Sequence, residues 1–157
     1  MTTIVSGIDV SSYQSADLSG VIAAYAPEHV VVRLYLPAEK PGLQSHSFAQ
    51  IQSARDHRCS VGGYIWGYRS ESPEDSVAAA VDLCRQANLV LPLLWIDCEV
   101  YGNPVTDPGP DADWLRRAKM AADSMEMKLG IYTAIWWIDG HFPGGQDAFS
   151  EFASWPI

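Results

Sequence analysis

The sequence predicts an α/β fold of parallel strands, wound as a barrel in preference to an open doubly wound sheet. Three observations point that way. Apolar, β-branched runs alternate at least four times with stretches of helical periodicity, each long enough to cross over between parallel neighbours. Periodicity alone leaves both windings standing. The turn after the first strand, however, is Ser11-Ser12-Tyr13-Gln14, unlike the glycine-rich phosphate turn of an open nucleotide-binding sheet, and no Walker loop follows. Finally, Asp9, Tyr64, Trp66, Asp97, Glu99 and Tyr132 fall at or near the carboxyl ends of expected strands, where a barrel gathers its active-site side chains.

Taken in order, residues 4–10 form a first strand, weakly alternating and rich in β-branched side chains, that ends in Gly7-Ile8-Asp9-Val10. Leu18, Val21, Ile22 and Tyr25 recur at helical spacing until Pro27 stops the helix. Residues 29–36 are a second, buried strand whose interior charge, Arg33, needs a partner, and a carboxylate near the strand ends is the obvious candidate. After a loop over 37–42 with two prolines, Phe48, Ile51 and Ala54 mark a helix to about His57. Residues 60–68 form a third strand that turns Tyr64, Trp66 and Tyr68 to one face. Ser72 caps the next helix, Pro73 takes its first position and Glu74 and Asp75 its first turn; it runs to about Ala87 and buries Val77, Val81 and Cys84.

Residues 91–99, Leu-Pro-Leu-Leu-Trp-Ile-Asp-Cys-Glu, are a fourth strand, buried on both faces, and residues 101–110 a proline-rich loop directly after its acids. Trp114, Leu115, Ala118 and Ala122 place a helix over 111–125. A fifth strand covers 129–134, a loop 140–145 and a short helix 147–152, while Trp155-Pro156-Ile157 begins a further strand.

The 157 residues, 48% hydrophobic, suffice for a core and are expected to form one domain over 1–157. Nineteen acids against ten bases give a net charge of −9 with no Lys/Arg cluster, which argues against nucleic acid and against an anionic membrane surface as partners. No stretch approaches a membrane span, and the start has neither the basic nor the apolar region of a signal peptide. Cys59, Cys84 and Cys98, odd in number and in or beside apolar segments, read as buried thiols. His29, His46, His57 and His141 share no spacing with acids or cysteines, so no metal and no cofactor is expected and the histidines default to surface or packing roles. No Gly-x-Ser-x-Gly nucleophile turn occurs. Six tryptophans and seven tyrosines supply flat rings of the kind a sugar cleft uses.

Strand alternation puts Asp97 and Glu99 on one face, with Cα atoms about 6.5–7 Å apart, and turns Cys98 the other way. Two carboxylates so close sense each other's charge, and one is expected to keep its proton near neutral pH, as acid-assisted bond cleavage requires. A lone Asp-x-Glu describes two solvated or salt-bridged acids equally well, and Tyr64, Trp66 and Trp95 taken singly are core rings. Convergence with Asp9 is what favours catalysis.

The runs Gly7-Ile8-Asp9-Val10-Ser11-Ser12-Tyr13-Gln14 and Trp95-Ile96-Asp97-Cys98-Glu99, followed by Gly130-Ile131-Tyr132-Thr133 and accompanied by Gly63-Tyr64, resemble the lysozyme-type muramidases of glycoside hydrolase family 25 in order and spacing. The resemblance implies an irregular β/α barrel, apparently lacking its last strands here, since the family continues for several strands beyond Trp155. It implies bacterial peptidoglycan as substrate and the β-1,4 bond from N-acetylmuramic acid to N-acetylglucosamine as the bond cut. Glu99 matches the family's general acid, which needs a raised pKa to carry its proton at neutral pH. Asp97 matches the acid that supports the N-acetyl group or the developing positive charge, and Asp9 a third acid that tunes the site. Tyr64 and Tyr132 match aromatic positions of the groove, with Trp66 and Arg33 as further candidates for substrate contact. The chain departs from the family pattern at Arg33, at Leu36-Pro37 and at Ile65.

The expected activity is that of a retaining muramidase, a phage endolysin or wall-remodelling enzyme made in the cytoplasm and acting on the cell wall. Self-association, or a second chain, would complete the barrel. The alternatives are a non-catalytic glycan-binding or virion structural module on the same scaffold, and a different glycosidase.

Overall fold

Alternation along each strand sorts the sheet into an apolar and a polar face before any helix is added. The computed structural model describes residues 6–35, 44–99 and 109–156. Five parallel strands, β1 (Gly7–Val10), β2 (His29–Tyr35), β3 (Ser60–Trp66), β4 (Leu94–Asp97) and β5 (Leu129–Tyr132), lie side by side in sequence order. Between them run α1 (Ser19–Tyr25), α2 (Gln44–Asp56), α3 (Pro73–Gln86) and α4 (Ala112–Ser124). Right-handed crossovers that always step in the same direction leave every helix on one face. Val30, Val32, Leu34, Ile65, Leu94, Ile96 and Ile131 turn to that face and are at most 1% exposed. Leu18, Ile51, Val77, Ala80, Leu115 and Ala118, all equally buried, meet them from the helical layer.

This winding is that of a β/α barrel. The five strands nevertheless form an open arc, with β1 and β5 as its edges among the described residues.

Local signals hold where they are strong. Ser72 Oγ accepts from the Asp75 N–H at 3.2 Å with Pro73 opening the helix, and Asp111 Oδ1 accepts from the Trp114 N–H at 2.9 Å. Arg117 then ties α4 to α3, its Nε and Nη2 donating to the two oxygens of Glu74 at 2.8 and 2.7 Å. Cys59, Cys84 and Cys98 are buried free thiols.

Strand ends differ from expectation. β4 is confined to Leu94–Asp97 instead of 91–99: Pro92 has no N–H to give a ladder, and Glu99 lies past the last pair, although the Cys98 N–H still reaches the Tyr132 carbonyl at 2.8 Å. β3 stops at Trp66, β5 at Tyr132, and α2 already begins at Gln44. The paired tryptophans belong to an unforeseen helix, α5 (Ile135–His141), and α6 (Gly145–Phe149) runs into a 3-10 turn over Ser150–Phe152. The loop expected over 37–42 and most of that over 101–110 lie outside the described residues.

Rings hold the carboxyl-terminal segment together. Phe142 meets Phe149 edge-on at 5.1 Å and Phe152 meets Trp155 edge-on at 5.2 Å. The packing delivers Pro156 to the outer edge of β5, where its carbonyl accepts from the Ile131 N–H at 2.8 Å; Trp155 and Pro156 form no strand, and Ile157 lies outside the described residues. No helix among the described residues is long and apolar enough to cross a membrane.

Ile96 is fully buried in β4, so Ile96→Ala leaves a cavity between sheet and helices. Urea denaturation shows it less stable by about 3–4 kcal/mol, with the slope unchanged.

Candidate active site

The face that the helices leave bare carries its side chains in rows set by the strand register. Asp9, Val31 and Gly62 are aligned across β1 to β3; Arg33, Tyr64, Trp95 and Gly130 across β2 to β5; Trp66, Asp97 and Tyr132 across β3 to β5. Successive rows lie about 6.5 Å apart along the strands. Asp9, Arg33, Tyr64, Trp66, Asp97, Glu99 and Tyr132 all line one cavity of about 1020 Å³. Residues from every strand of the sheet thus converge on it.

Asp97 is the most perturbed of the acids. Its residue is 8% exposed, the Glu99 N–H bonds its carboxyl, and its Oδ1 is buried with no partner among the described residues. Burial, then the charges of Glu99 and Asp9, push its pKa up to about 7, and the Glu99 N–H and the Arg33 charge offset this only in part. A proton is thus retained near neutrality at the end of β4, where Asp97 and Glu99 stand together.

Tyr132 reports the same field. The Glu99 charge foremost, then burial, then the Asp9 and Asp97 charges raise its pKa, so its hydroxyl remains a donor. The Asp9 charge raises both Asp97 and Tyr132 and so reaches across the cavity from β1 to β4 and β5.

Arg33 is 5% exposed. Its Nη2 donates to Ser12 Oγ, its guanidinium carbon lies 5.5 Å from the centroid of the Tyr13 ring, and its charge acts on Asp97. The turn that carries Ser12 and Tyr13 is itself locked. Gln14 Oε1 accepts from the Ser11 N–H at 2.7 Å, and the buried Gln50 amide donates to the carbonyls of Ser11 and Ser15 at 2.8 and 3.1 Å. Gln14 and Gln50 thereby hold one wall of the cavity in place.

Tyr13, Tyr68, Trp95, Thr133 and His29 also line the cavity. His29, expected at the surface or in packing, stands two residues before Val31 and four before Arg33, so strand parity alone signals that it turns inward. No cluster of three or more His, Cys, Asp or Glu side chains among the described residues can hold a metal ion.

The family described as lysozyme-like protein 1 matches residues 1–138. Comparison with curated proteins yields no match. Among solved structures, the chain is similar to the glycosyl hydrolase 25 GHIP of Streptococcus pneumoniae, with a TM-score of 0.62 and 14% identity over 87% of this chain and 62% of that one. The catalytic domain of endolysin ply40 from bacteriophage P40 of Listeria monocytogenes gives a TM-score of 0.60 and 20% identity over 90% and 68%. The modular autolysin LytC of Streptococcus pneumoniae gives 0.61 and 16% over 82% of this chain. The chain spans only 32% of LytC. At these identities the likeness is one of fold.

The Asp97 shift makes stability depend on pH. Folded, Asp97 keeps its proton to about pH 7; unfolded, it loses it near about 3.9. Between the two the folded chain holds a proton that the unfolded chain has released, so the unfolding free energy falls as pH rises from about 4 to about 7. Asp97→Asn removes this loss. In urea denaturation at about pH 8 it is more stable than the native chain by about 2–4 kcal/mol, and the difference closes towards about pH 4.

Proposed function

The chain belongs to the lysozyme-like protein 1 family, and from that premise we propose that it is a retaining muramidase of bacterial peptidoglycan. The bond cut is the β-1,4 link from N-acetylmuramic acid to N-acetylglucosamine. One observation carries the reading: Asp9 and, far along the chain from it, Asp97 and Glu99 line a single cavity in which a carboxyl stays protonated near neutral pH. The fold shared with a glycosyl hydrolase 25, with an endolysin catalytic domain and with an autolysin solved in complex with a synthetic peptidoglycan ligand supports it.

In this reading the Asp97–Glu99 pair holds one proton between them in the free enzyme. The reactive arrangement has it on Glu99, which passes it to the glycosidic oxygen as that oxygen leaves C1. Asp97, then ionised, accepts from the acetamido N–H of the substrate while the acetamido carbonyl closes on C1 from the opposite face. Water, losing a proton to Glu99, opens the ring so formed, and two displacements return the original configuration. Asp9 adds negative charge that favours the cationic transition state and helps the pair keep its proton. Tyr64, Trp66 and Tyr132 wall the groove for the sugar rings, and Arg33 anchors the Tyr13 wall and restrains the field at Asp97. A phage enzyme released at lysis, or a wall-remodelling one, fits this activity.

Turbidity of purified cell walls tests the assignment. Glu99→Gln, folded by circular dichroism, clears them about 10²–10⁴-fold more slowly than the native chain. Wall binding without release of reducing ends by the native chain overturns the proposal in favour of a glycan-binding module.

The pH profile is a separate test. Loss of the shared proton makes kcat/KM for glycan strands fall as pH rises through about 7, and in Asp97→Asn that limb disappears from its native position.

A further inference from the structure

Helix α2 carries polar side chains where its packing against the sheet calls for apolar ones. Ser47, Gln50 and Ser53 recur every three residues along it, among the buried Ile51 and Ala54. Ser47 is buried and Gln50 fully so, and Gln50 Oε1 has no hydrogen-bond partner among the described residues. Such burial costs stability that a leucine would not. Each of the three grips backbone that leads to the cavity.

Ser47 Oγ donates to the Arg33 carbonyl at 2.7 Å, at the point where the register of β2 with β3 slips between Arg33 and Tyr35. A slip of this kind bends the strand and re-aims the side chains beside it, so the Ser47 bond fixes the direction in which Arg33 leaves the sheet. One turn further on, the Gln50 amide nitrogen lies 2.8, 3.4 and 3.1 Å from the carbonyl oxygens of Ser11, Gln14 and Ser15. Carbonyls can only accept, which settles the orientation of the amide. Ser53 Oγ accepts from the Leu18 N–H at 2.9 Å and closes the same segment. One helix thus ties down both the Arg33 backbone and the turn whose Ser12 and Tyr13 side chains meet its guanidinium.

We propose that Gln50 is a positioning residue: from the helical layer it sets the Ser12–Tyr13 turn against Arg33 and so fixes where the guanidinium stands in the cavity. Neither Gln50 nor Ser47 lines that cavity. The consequence for the chemistry rests on the muramidase reading. Arg33 opposes the effect of burial, Glu99 and Asp9 on Asp97, and a guanidinium out of place changes the field at the pair that supplies the proton.

Gln50→Met, close in length and volume but without a donor, tests this on the full chain, and Gln50→Leu is a second donorless variant. In both, folded by circular dichroism, the Arg33 Nε–H resonance leaves its native position beside the Tyr13 ring, while in Gln52→Ala, an exposed residue of the same helix bonded to Asp56, it stays. A native Arg33 resonance in either donorless variant overturns the proposal and leaves the hydrolase reading intact. On purified glycan strands Gln50→Met lowers kcat/KM about fivefold, the loss of one hydrogen bond's worth of order. Ser12→Ala cuts the same tether, so the two losses do not multiply: the double variant is as active as the weaker single one, whereas independent effects give a fall of about 25-fold. Multiplying losses mark a merely structural role and overturn the positioning. If the native chain cleaves no glycan while the Arg33 resonance follows Gln50, the hydrolase reading fails and the tether stands.

Discussion

Parallel strands wound in one direction give helices access to one face of the sheet only, and everything else in this molecule follows from that asymmetry. The face beneath α1 to α4 takes the valines, leucines and isoleucines and excludes water. The opposite face receives the alternate residue of each strand, and no helix among the described residues meets it. In a closed barrel, layers of interdigitated side chains would fill that space. Among the described residues it is a cavity in which Asp9, Arg33, Asp97 and Glu99 stand beside aromatic rings.

Charge in that cavity is unevenly distributed. Three carboxyls from β1 and the end of β4 share it with Arg33, whose contacts with Ser12 and the Tyr13 ring hold its guanidinium in place. The arrangement works against folding at neutral pH, because Asp97 is kept from ionising by burial and by its acidic neighbours. A chain selected for stability alone would have no use for such a group; in the function proposed above it belongs to the pair that supplies the proton.

Much of this was legible in the sequence because the deciding forces are local. Ser72-Pro73-Glu74 and Asp111 name helix starts through hydrogen bonds that span three residues. The two-residue period puts Tyr64 with Trp66 and Asp97 with Glu99, and the family motifs supply the pairing of Asp9 with them. Illegible features depend on contacts between distant segments. β4 and β3 end where their neighbours stop pairing, and α5 and α6 are too short to hold without the Phe142, Phe149, Phe152 and Trp155 rings. His29 was visible by parity yet looked solitary, since Gly62 and Ser60 lie about thirty residues away. The burial that raises Asp97 is a matter of desolvation in three dimensions, which Asp-x-Glu does not encode.

The hydrogen bond from the Ile131 N–H to the Pro156 carbonyl has a consequence for biosynthesis. Translation delivers β1 to β4, with Asp9, Asp97 and Glu99, well before the residues that brace the far side of β5. The wall bearing Tyr132 gains its outer rung only after Pro156 has cleared the ribosome. A nascent chain therefore carries the acids before the outer edge of β5 is braced, and the Tyr132 side of the cavity is completed after the side that bears Asp9.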